Sequence, residues 1–367
     1  MRKIMTVIGT RPEIIKMSKI INSLDKNFDN ILVHTGQNYD YELNEVFFKD
    51  LQVRKPNYFL DCDVSSVMST VGDILVKIDN LITLEQPDAF LVYGDTNSCL
   101  SVIAAKRRRI PIFHFEAGNR CFDVRVPEEI NRKIVDHTAD VNFVLSEHAR
   151  RYLEKEGFPP QYIFKTGSHM FEVISQHAQD IDQSKILEEL NLKRNNYFLV
   201  SLHREENVDD DANLKKSLEA LESLSTKKNK VTIISVHPRT RARIESLGII
   251  VSERIILLKP FGFFDYCNLQ KNAFCVISDS GTISEETSLL NLNSVMLRET
   301  HERPEGMDVG SVVCSSLTKR SLEHAVEVAV NTSPTNSISD YTNNTSEMIT
   351  RVISSYIDII NRFTWKK

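Results

Sequence analysis

AFLVYGDTNSCLSVIAAKRRRIPIFHFEAG, residues 89–118, is the stretch on which the fold turns. An apolar run at 89–94 precedes a helix-compatible stretch at 97–108, and a second apolar run follows at 112–117. Short strands that are apolar almost without interruption belong in parallel sheets covered on both faces, and a helix between two of them makes a βαβ unit. Moving outward, the alternation continues. Strands are expected at 4–9, 31–36, 141–146 and 163–167, with helices at 12–24, 64–84 and 128–137. After a polar stretch at 179–196 the pattern restarts, with strands at 197–202, 231–236, 255–258, 275–278 and 294–297 and helices near 212–225 and 282–290. The Asn/Ser/Thr-rich stretch 331–346 reads as a loop, and 347–363 as a last helix.

A chain of 367 residues fits two domains of roughly 150–200 residues each. The expected architecture is α/β: two Rossmann-like domains facing across a cleft, residues 1–168 with 347–367 and residues 169–346, the C-terminal helix packing back on the first domain. The symmetry is one of topology, because no sequence repeat of 20–50 residues recurs.

Hydrophobic content of 41% and charged content of 26% describe an ordinary soluble protein, and a net charge of −5 supplies no global field for nucleic acid. The one basic run, Lys106-Arg107-Arg108-Arg109, ends the 97–108 stretch, where cations suit a helix C-terminus; a polyanion site is the other reading. Six cysteines (Cys62, Cys99, Cys121, Cys267, Cys275 and Cys314) form no CxxC pair and no zinc spacing, as reduced cytosolic thiols would. The first ten residues enter a strand pattern rather than an export segment, and no apolar stretch reaches the ~20 residues of a membrane span. The expectation is a cytoplasmic protein with no membrane and no nucleic-acid partner.

In doubly wound sheets ligands bind beyond the carboxyl ends of the strands. Here those positions carry Thr10-Arg11, Asp95-Thr96, Glu116, His203-Arg204-Glu205, His237-Pro238-Arg239 and Asp279-Ser280-Gly281. Ser280-Gly281-Thr282 runs from a strand into a helix, and small residues there let backbone N–H groups approach a phosphate. Glu285 and Glu286, one turn on, suit ribose hydroxyls; a capped helix with acids in its first turn is the plainer alternative. Gly9-Thr10-Arg11-Pro12 places Arg11 at a strand end, with Lys16 one turn later, either toward a ligand or as a surface ion cluster.

Three acids stand out in the first domain. Asp95 and Glu116 end neighbouring apolar strands, where a carboxylate is costly unless hydrogen-bonded or used, and Glu128 opens the helix after residues 119–127. Such acids suit proton transfer; Asp95 as a helix cap and Glu128 as a first-turn acid are the structural alternatives. His203, Arg204, His237 and Arg303 place cations where a departing diphosphate would need them, or line a solvated rim. His114 with Glu116, and His203, invite a metal, but no further ligand set has the spacing; His114 and His237 equally suit core or strand-end histidines. Phe261, Phe263, Phe264 and Tyr266 offer either a base-stacking surface or helix packing. The sequence has neither GxGxxG nor GxxxxGK[ST], so no dinucleotide cofactor is expected.

Taken in order, Gly9-Thr10-Arg11-Pro12-Glu13, Gly94-Asp95-Thr96, His114 to Gly118, Pro127-Glu128-Glu129 with Asn131-Arg132, His203-Arg204, Asp279-Ser280-Gly281 with Glu285-Glu286, and Glu302-Arg303-Pro304-Glu305 resemble the non-hydrolysing UDP-N-acetylglucosamine 2-epimerases over essentially the whole chain. His34-Thr35-Gly36-Gln37-Asn38-Tyr39-Asp40-Tyr41-Glu42-Leu43 and Glu116-Ala117-Gly118-Asn119-Arg120-Cys121-Phe122 look most like the branch that forms UDP-N-acetyl-L-fucosamine for capsule and O-antigen. Where the glucosamine enzymes usually read Leu-Arg-Thr-Gly, this chain reads Asn119-Arg120-Cys121-Phe122. It also lacks the Gln-His-Arg-type segment tied to allosteric activation in relatives.

The resemblance implies a glycosyltransferase-B-like fold, a UDP-sugar substrate and a homodimer. It puts Asp95, Glu116, Glu128 and His203 on catalytic positions and Arg11, Ser280, Gly281, Glu286 and Arg303 on nucleotide-binding ones. Lys16, Arg132, Arg204, His237 and Thr282 join the substrate-binding set by their placement. The implied reaction takes UDP-2-acetamido-2,6-dideoxy-β-L-talose to UDP-N-acetyl-β-L-fucosamine without cofactor or metal. The alternatives are a UDP-N-acetylglucosamine/UDP-N-acetylmannosamine epimerase, a hydrolysing epimerase, a glycosyltransferase, and a catalytically silent UDP-sugar sensor.

Overall fold

β1 (Lys3–Ile8) lies between β2 (Asp29–His34) and β4 (Ala89–Tyr93) and runs parallel to both, and this placement organises the first sheet of the computed structural model. The structure describes residues 1–36, 47–298, 300–332, 338–341 and 344–367. Gln37 to Leu43 of the motif quoted above, and part of the expected loop 331–346, lie outside the described residues.

By its internal contacts the chain divides into two units, Met1–Ser175 with Ser339–Lys367, and Gln176–Ile338. The first holds a seven-stranded sheet in the order β3-β2-β1-β4-β5-β6-β7, adding β3 (Tyr58–Phe59), β5 (Ile112–Ala117), β6 (Val141–Val144) and β7 (Ile163–Lys165). All five residues of β4 are buried, as a strand covered on both faces requires. The second unit holds six strands in the order β10-β9-β8-β11-β12-β13. These are β8 (Tyr197–Ser201), β9 (Val231–Ser235), β10 (Ile255–Leu258), β11 (Cys275–Ser278), β12 (Ser294–Met296) and β13 (Val313–Cys314). Every registered pair in both sheets is parallel.

Each sheet is therefore a doubly wound Rossmann-like sheet whose strand order reverses once near its middle, between β1 and β4 in the first and between β8 and β11 in the second. These reversals open a crevice at the strand ends, where the connections diverge to opposite faces. The C-terminal helix, Thr345–Phe363, belongs to the first unit and lies on the helix Arg11–Asn27, where Ser23 and Thr350 share a 2.8 Å hydroxyl hydrogen bond.

The structure adds elements that the sequence expectation lacks, among them the helices Glu147–Lys155, His169–Gln176, Pro238–Ser246 and Phe263–Asn272, and three further departures have a physical reason. The polar stretch 179–196 carries parts of two short helices, Ala178–Gln183 and Ile186–Glu189, which bury Ile181 and Ile186 in the second unit. One apolar anchor per turn is too sparse to register as a period. The stretch 97–108 begins as a 3-10 helix, Asn97–Ser101, before the α-helix Val102–Arg107. Its Ser98 packs so closely on Gly9 that a Cβ there would lie 1.9 Å from Ser98 Oγ. The helix Lys319–Asn331 is an addition to the expected set, and its Leu322, Ala325, Val326 and Ala329 recur at helical spacing and are buried.

Candidate functional site

The first constellation sits where β1 and β4 part. Gly9 closes the turn after β1, and Glu13, in the first turn of the helix Arg11–Asn27, folds back over it. Its Oε2 accepts from Gly9 N at 2.5 Å and Thr10 N at 3.3 Å, and its Oε1 accepts from the Thr96 hydroxyl at 2.7 Å. Glu13 thus ties the β1 turn to the β4 turn. Burial pushes its carboxyl up to about 7 against the opposing effect of these hydrogen bonds.

Asp95 follows β4 and is gripped from the helix Pro127–Thr138. Arg132 Nε lies 2.8 Å from its Oδ2, and Asn131 Nδ2 donates to its backbone oxygen at 2.9 Å. Arg132 is buried and also donates to Glu129 Oε2 at 2.7 Å. Glu129 in turn accepts from the Cys121 and Phe122 amides at 3.1 and 3.2 Å, fixing the loop that precedes it. Burial alone would raise the Glu129 carboxyl, but the Cys121 amide and Arg132 hold it below its ordinary value. Glu128, beside it, is half-buried in the first turn.

Glu116 occupies an irregular point of β5, where the register with β6 shifts between Phe115 and Ala117. Its φ of +62° is left-handed, which costs a residue with a Cβ about 1–2 kcal/mol. Such strain persists where the surroundings dictate it. The side chain meets Lys16, whose Nζ is 2.6 Å from Oε2 and 5.5 Å from the centroid of the Tyr93 ring. Arg11 stacks on Phe47 at 5.9 Å. Lys16 with Glu116, and Asp95 with Arg132, are thus brought together at the carboxyl ends of β5, β4 and β1.

The second constellation sits at the reversal between β8 and β11. Asp279 is fully buried and gathers donors: the amides of His203 and Arg204, Asn207 Nδ2 at 3.0 Å, and His203 Nδ1 at 2.9 Å. Burial alone would raise its carboxyl; the His203 charge and these hydrogen bonds outweigh that and hold it below the ordinary aspartate value. The His203 ring stays half exposed. Ser280 and Thr282 share a 2.8 Å hydrogen bond, and the Thr282 hydroxyl donates to Glu286 Oε1 at 2.8 Å at the start of the helix Ile283–Leu290.

Gly281 is needed for close approach, since a Cβ would fall 2.2 Å from Glu302 Oε1. Glu302 accepts from Arg204 at 3.4 Å and pairs with Arg298 at 2.8 Å, while Arg303 pairs with Glu285 at 2.9 Å. His237 caps the helix Pro238–Ser246, accepting from Arg239 N at 3.3 Å. Of the aromatics, Phe261 and Tyr266 pack against the buried cluster of Tyr197, Leu199 and Leu269, and Phe264 lies against His177 at 5.1 Å.

Sequence reasoning quoted Glu13, Glu129 and Arg120 only within motifs and gave them no role of their own, and it did not single out Asp136 or Arg298. One signal was available. Glu129, Arg132 and Asp136 recur at i, i+3 and i+7, the spacing of a buried helical stripe, and all three are buried. A charged stripe in a core position is itself informative.

Known proteins resemble this chain in sequence and in fold. The sequence model of the family described as UDP-N-acetylglucosamine 2-epimerase matches residues 22–354. The structure of UDP-N-acetylglucosamine 2-epimerase from Rickettsia bellii is 49% identical, covers 100% of both chains and superposes with a TM-score of 0.93. The Methanocaldococcus jannaschii UDP-GlcNAc 2-epimerase, in complex with UDP-GlcNAc and UDP, is 32% identical over 96% of this chain and 99% of its own, with a TM-score of 0.91. The UDP-2,3-diacetamido-2,3-dideoxy-D-glucuronate 2-epimerase of Pseudomonas aeruginosa is 34% identical over 85% of this chain and 87% of its own.

Proposed function

The chain belongs to the UDP-N-acetylglucosamine 2-epimerase family, and we propose that as a non-hydrolysing UDP-sugar 2-epimerase it inverts C2 of a UDP-linked N-acetyl hexosamine by eliminating UDP and adding it back. The C2 proton of a pyranose is not acidic, because no carbonyl adjoins it. A leaving group on C1 solves this. One carboxylate takes the C2 proton as the C1–O bond breaks. The C–H pair becomes the C1=C2 bond of a 2-acetamidoglycal, and the C1–O pair departs with UDP. A second acid then protonates the opposite face of C2 while a UDP oxygen bonds C1.

The observation that carries this reading is the pair of carboxylates on adjacent strand ends, each met by a buried cation: Glu116 by Lys16 at 2.6 Å and Asp95 by Arg132 at 2.8 Å. In this reading Glu116, Glu128 and Asp95 form the acid–base set. His203, Arg204 and Arg303 hold the diphosphate as its charge develops. Arg11, Lys16, Arg132 and His237 complete the charge field, Ser280-Gly281-Thr282 receives a phosphate, and Glu286 receives ribose hydroxyls.

For the sugar, we take UDP-2-acetamido-2,6-dideoxy-β-L-talose, giving UDP-N-acetyl-β-L-fucosamine for surface polysaccharide. The support is the Glu116–Phe122 segment. A second reading, UDP-N-acetylglucosamine, is favoured by the names of the relatives from Rickettsia bellii and Methanocaldococcus jannaschii. Proton NMR in D₂O with each sugar nucleotide separates them. The talo substrate should give fuco product carrying deuterium at C2. Turnover of UDP-N-acetylglucosamine alone would move the assignment to the second reading, and no C2 exchange with either would overturn the epimerase reading.

A further inference from the structure

His114 stands one residue before the bend that carries Glu116, yet nothing in the proposed chemistry uses it. Its side chain is buried, and both ring nitrogens are engaged: Nδ1 lies 2.8 Å from Asp136 Oδ1, and Nε2 lies 2.7 Å from the Gly94 carbonyl oxygen. Asp136 is itself fully buried and reaches the other side of the bend, accepting from Gly118 N at 3.2 Å. Arg120, also buried, donates to Asp136 Oδ2 at 2.7 Å and to Glu156 through Nε and Nη2 at 2.8 and 2.7 Å.

Asp136 therefore grips residues 114 and 118, one on each flank of the left-handed Glu116. Through His114 the same network reaches the carbonyl immediately before Asp95. We infer that His114 and Asp136 are positioning residues, a buried brace that sets the Asp95 turn and the Glu116 bend relative to one another. The inference rests on the reading of Asp95 and Glu116 as the proton-transfer carboxylates.

The hydrogen-bond chemistry fixes the form of the brace. A carbonyl oxygen only accepts, so Nε2 must carry a proton. Asp136 accepts from the Arg120 guanidinium and the Gly118 amide and faces Nδ1 as an acceptor too, so Nδ1 must carry the other. The brace thus needs His114 as an imidazolium between a carboxylate and a carbonyl. The surrounding charges alternate: Arg120 lies beside Asp136, and Glu156 meets both Arg120 and His137. Asp136→Asn would remove the charge that His114 and Arg120 share and set an amide N–H against one of the donors that the carboxylate now accepts.

The test uses two readouts on the full chain. In histidine-¹⁵N-labelled wild-type protein at neutral pH, both ring nitrogens of His114 should report as protonated; a neutral tautomer would overturn the brace as described. D136N, checked for fold by circular dichroism and for UDP binding by calorimetry, should lose about 10- to 100-fold in kcat with KM and UDP affinity within about twofold of wild type. A folded D136N with wild-type kcat overturns the positioning role while the epimerase reading stands. Absence of C2 exchange in the wild type would remove the epimerase reading and this inference with it. Should D136N fail to fold, the nitrogen signals of the wild type still decide the protonation that the brace requires.

Discussion

Lys16 Nζ lies 2.6 Å from Glu116 Oε2, with the two side chains only 8% and 11% exposed. The lysine comes from the helix after β1 and the glutamate from the end of β5, so the pair crosses the sheet reversal. Breaking a buried pair from one side leaves an uncompensated charge and costs ~3–5 kcal/mol. Lys16→Met should therefore destabilise the first unit by about that amount in urea unfolding, and Lys16→Met with Glu116→Gln should recover most of it. Glu116→Gln alone should abolish turnover and keep UDP binding; turnover at the wild-type rate would remove Glu116 from the acid–base set.

Glu13 should give the stability curve a neutral-range slope. Its folded value is raised from 4.5 to about 7, mainly by burial, so the folded chain holds a proton that the unfolded chain has released. Stability from this group is complete below about 4.5 and is lost as pH rises toward 7, by roughly 3 kcal/mol in total. Glu13→Gln keeps an acceptor toward Gly9 and turns its amide N–H toward the Thr96 hydroxyl, which can accept, so the bond is reversed rather than lost and that part of the curve should flatten. An unchanged slope in the variant would assign it elsewhere.

Asp279 should act in the opposite direction. Its folded value lies below the ordinary 3.8, because His203 and the amide donors outweigh burial. Its contribution is complete above that value and lost as pH falls through the depressed one. Asp279→Asn should cost about 2–3 kcal/mol at pH 7, and the gap to wild type should close in strongly acid solution. Chemical unfolding of both proteins at the two pH values measures it.

Two glycines make a contrasting pair. Gly281→Ala would press a methyl 2.2 Å from Glu302 Oε1, on a carboxylate that Arg204 holds through that oxygen and Arg298 through the other, so UDP affinity by calorimetry should fall at least ~10-fold. Gly72 sits exposed inside the helix Val67–Glu85 with nothing within 4 Å of an added Cβ. Gly72→Ala should stabilise the protein by about 0.5–1 kcal/mol, seen as a raised Tm, with activity unchanged.

The site was legible where function departs from the cheapest local structure. Asp95 and Asp279 each follow a largely apolar strand and Glu116 lies within the last residues of another, where a buried charge is costly unless it is paired or used. Glu13 and Glu129 were not legible as more than helix acids. Their type suits a first helical turn whether or not they fold back onto neighbouring amides, and only the approach of those amides distinguishes the cases.

Sequence by itself determined the α/β class, the parallel strands, the two series of βα units and the polar strand ends. Periodicity and the burial demands of apolar segments are local properties, readable one element at a time. Tertiary structure decided strand order, and with it the reversals that set β1 beside β4 and β8 beside β11. It also decided every long-range partner: Lys16 for Glu116, Arg132 for Asp95, His203 for Asp279, and the Asp136 brace around the Glu116 bend. A residue's chemistry is written at its own position, whereas the charge it faces depends on which distant strand end the sheet brings alongside.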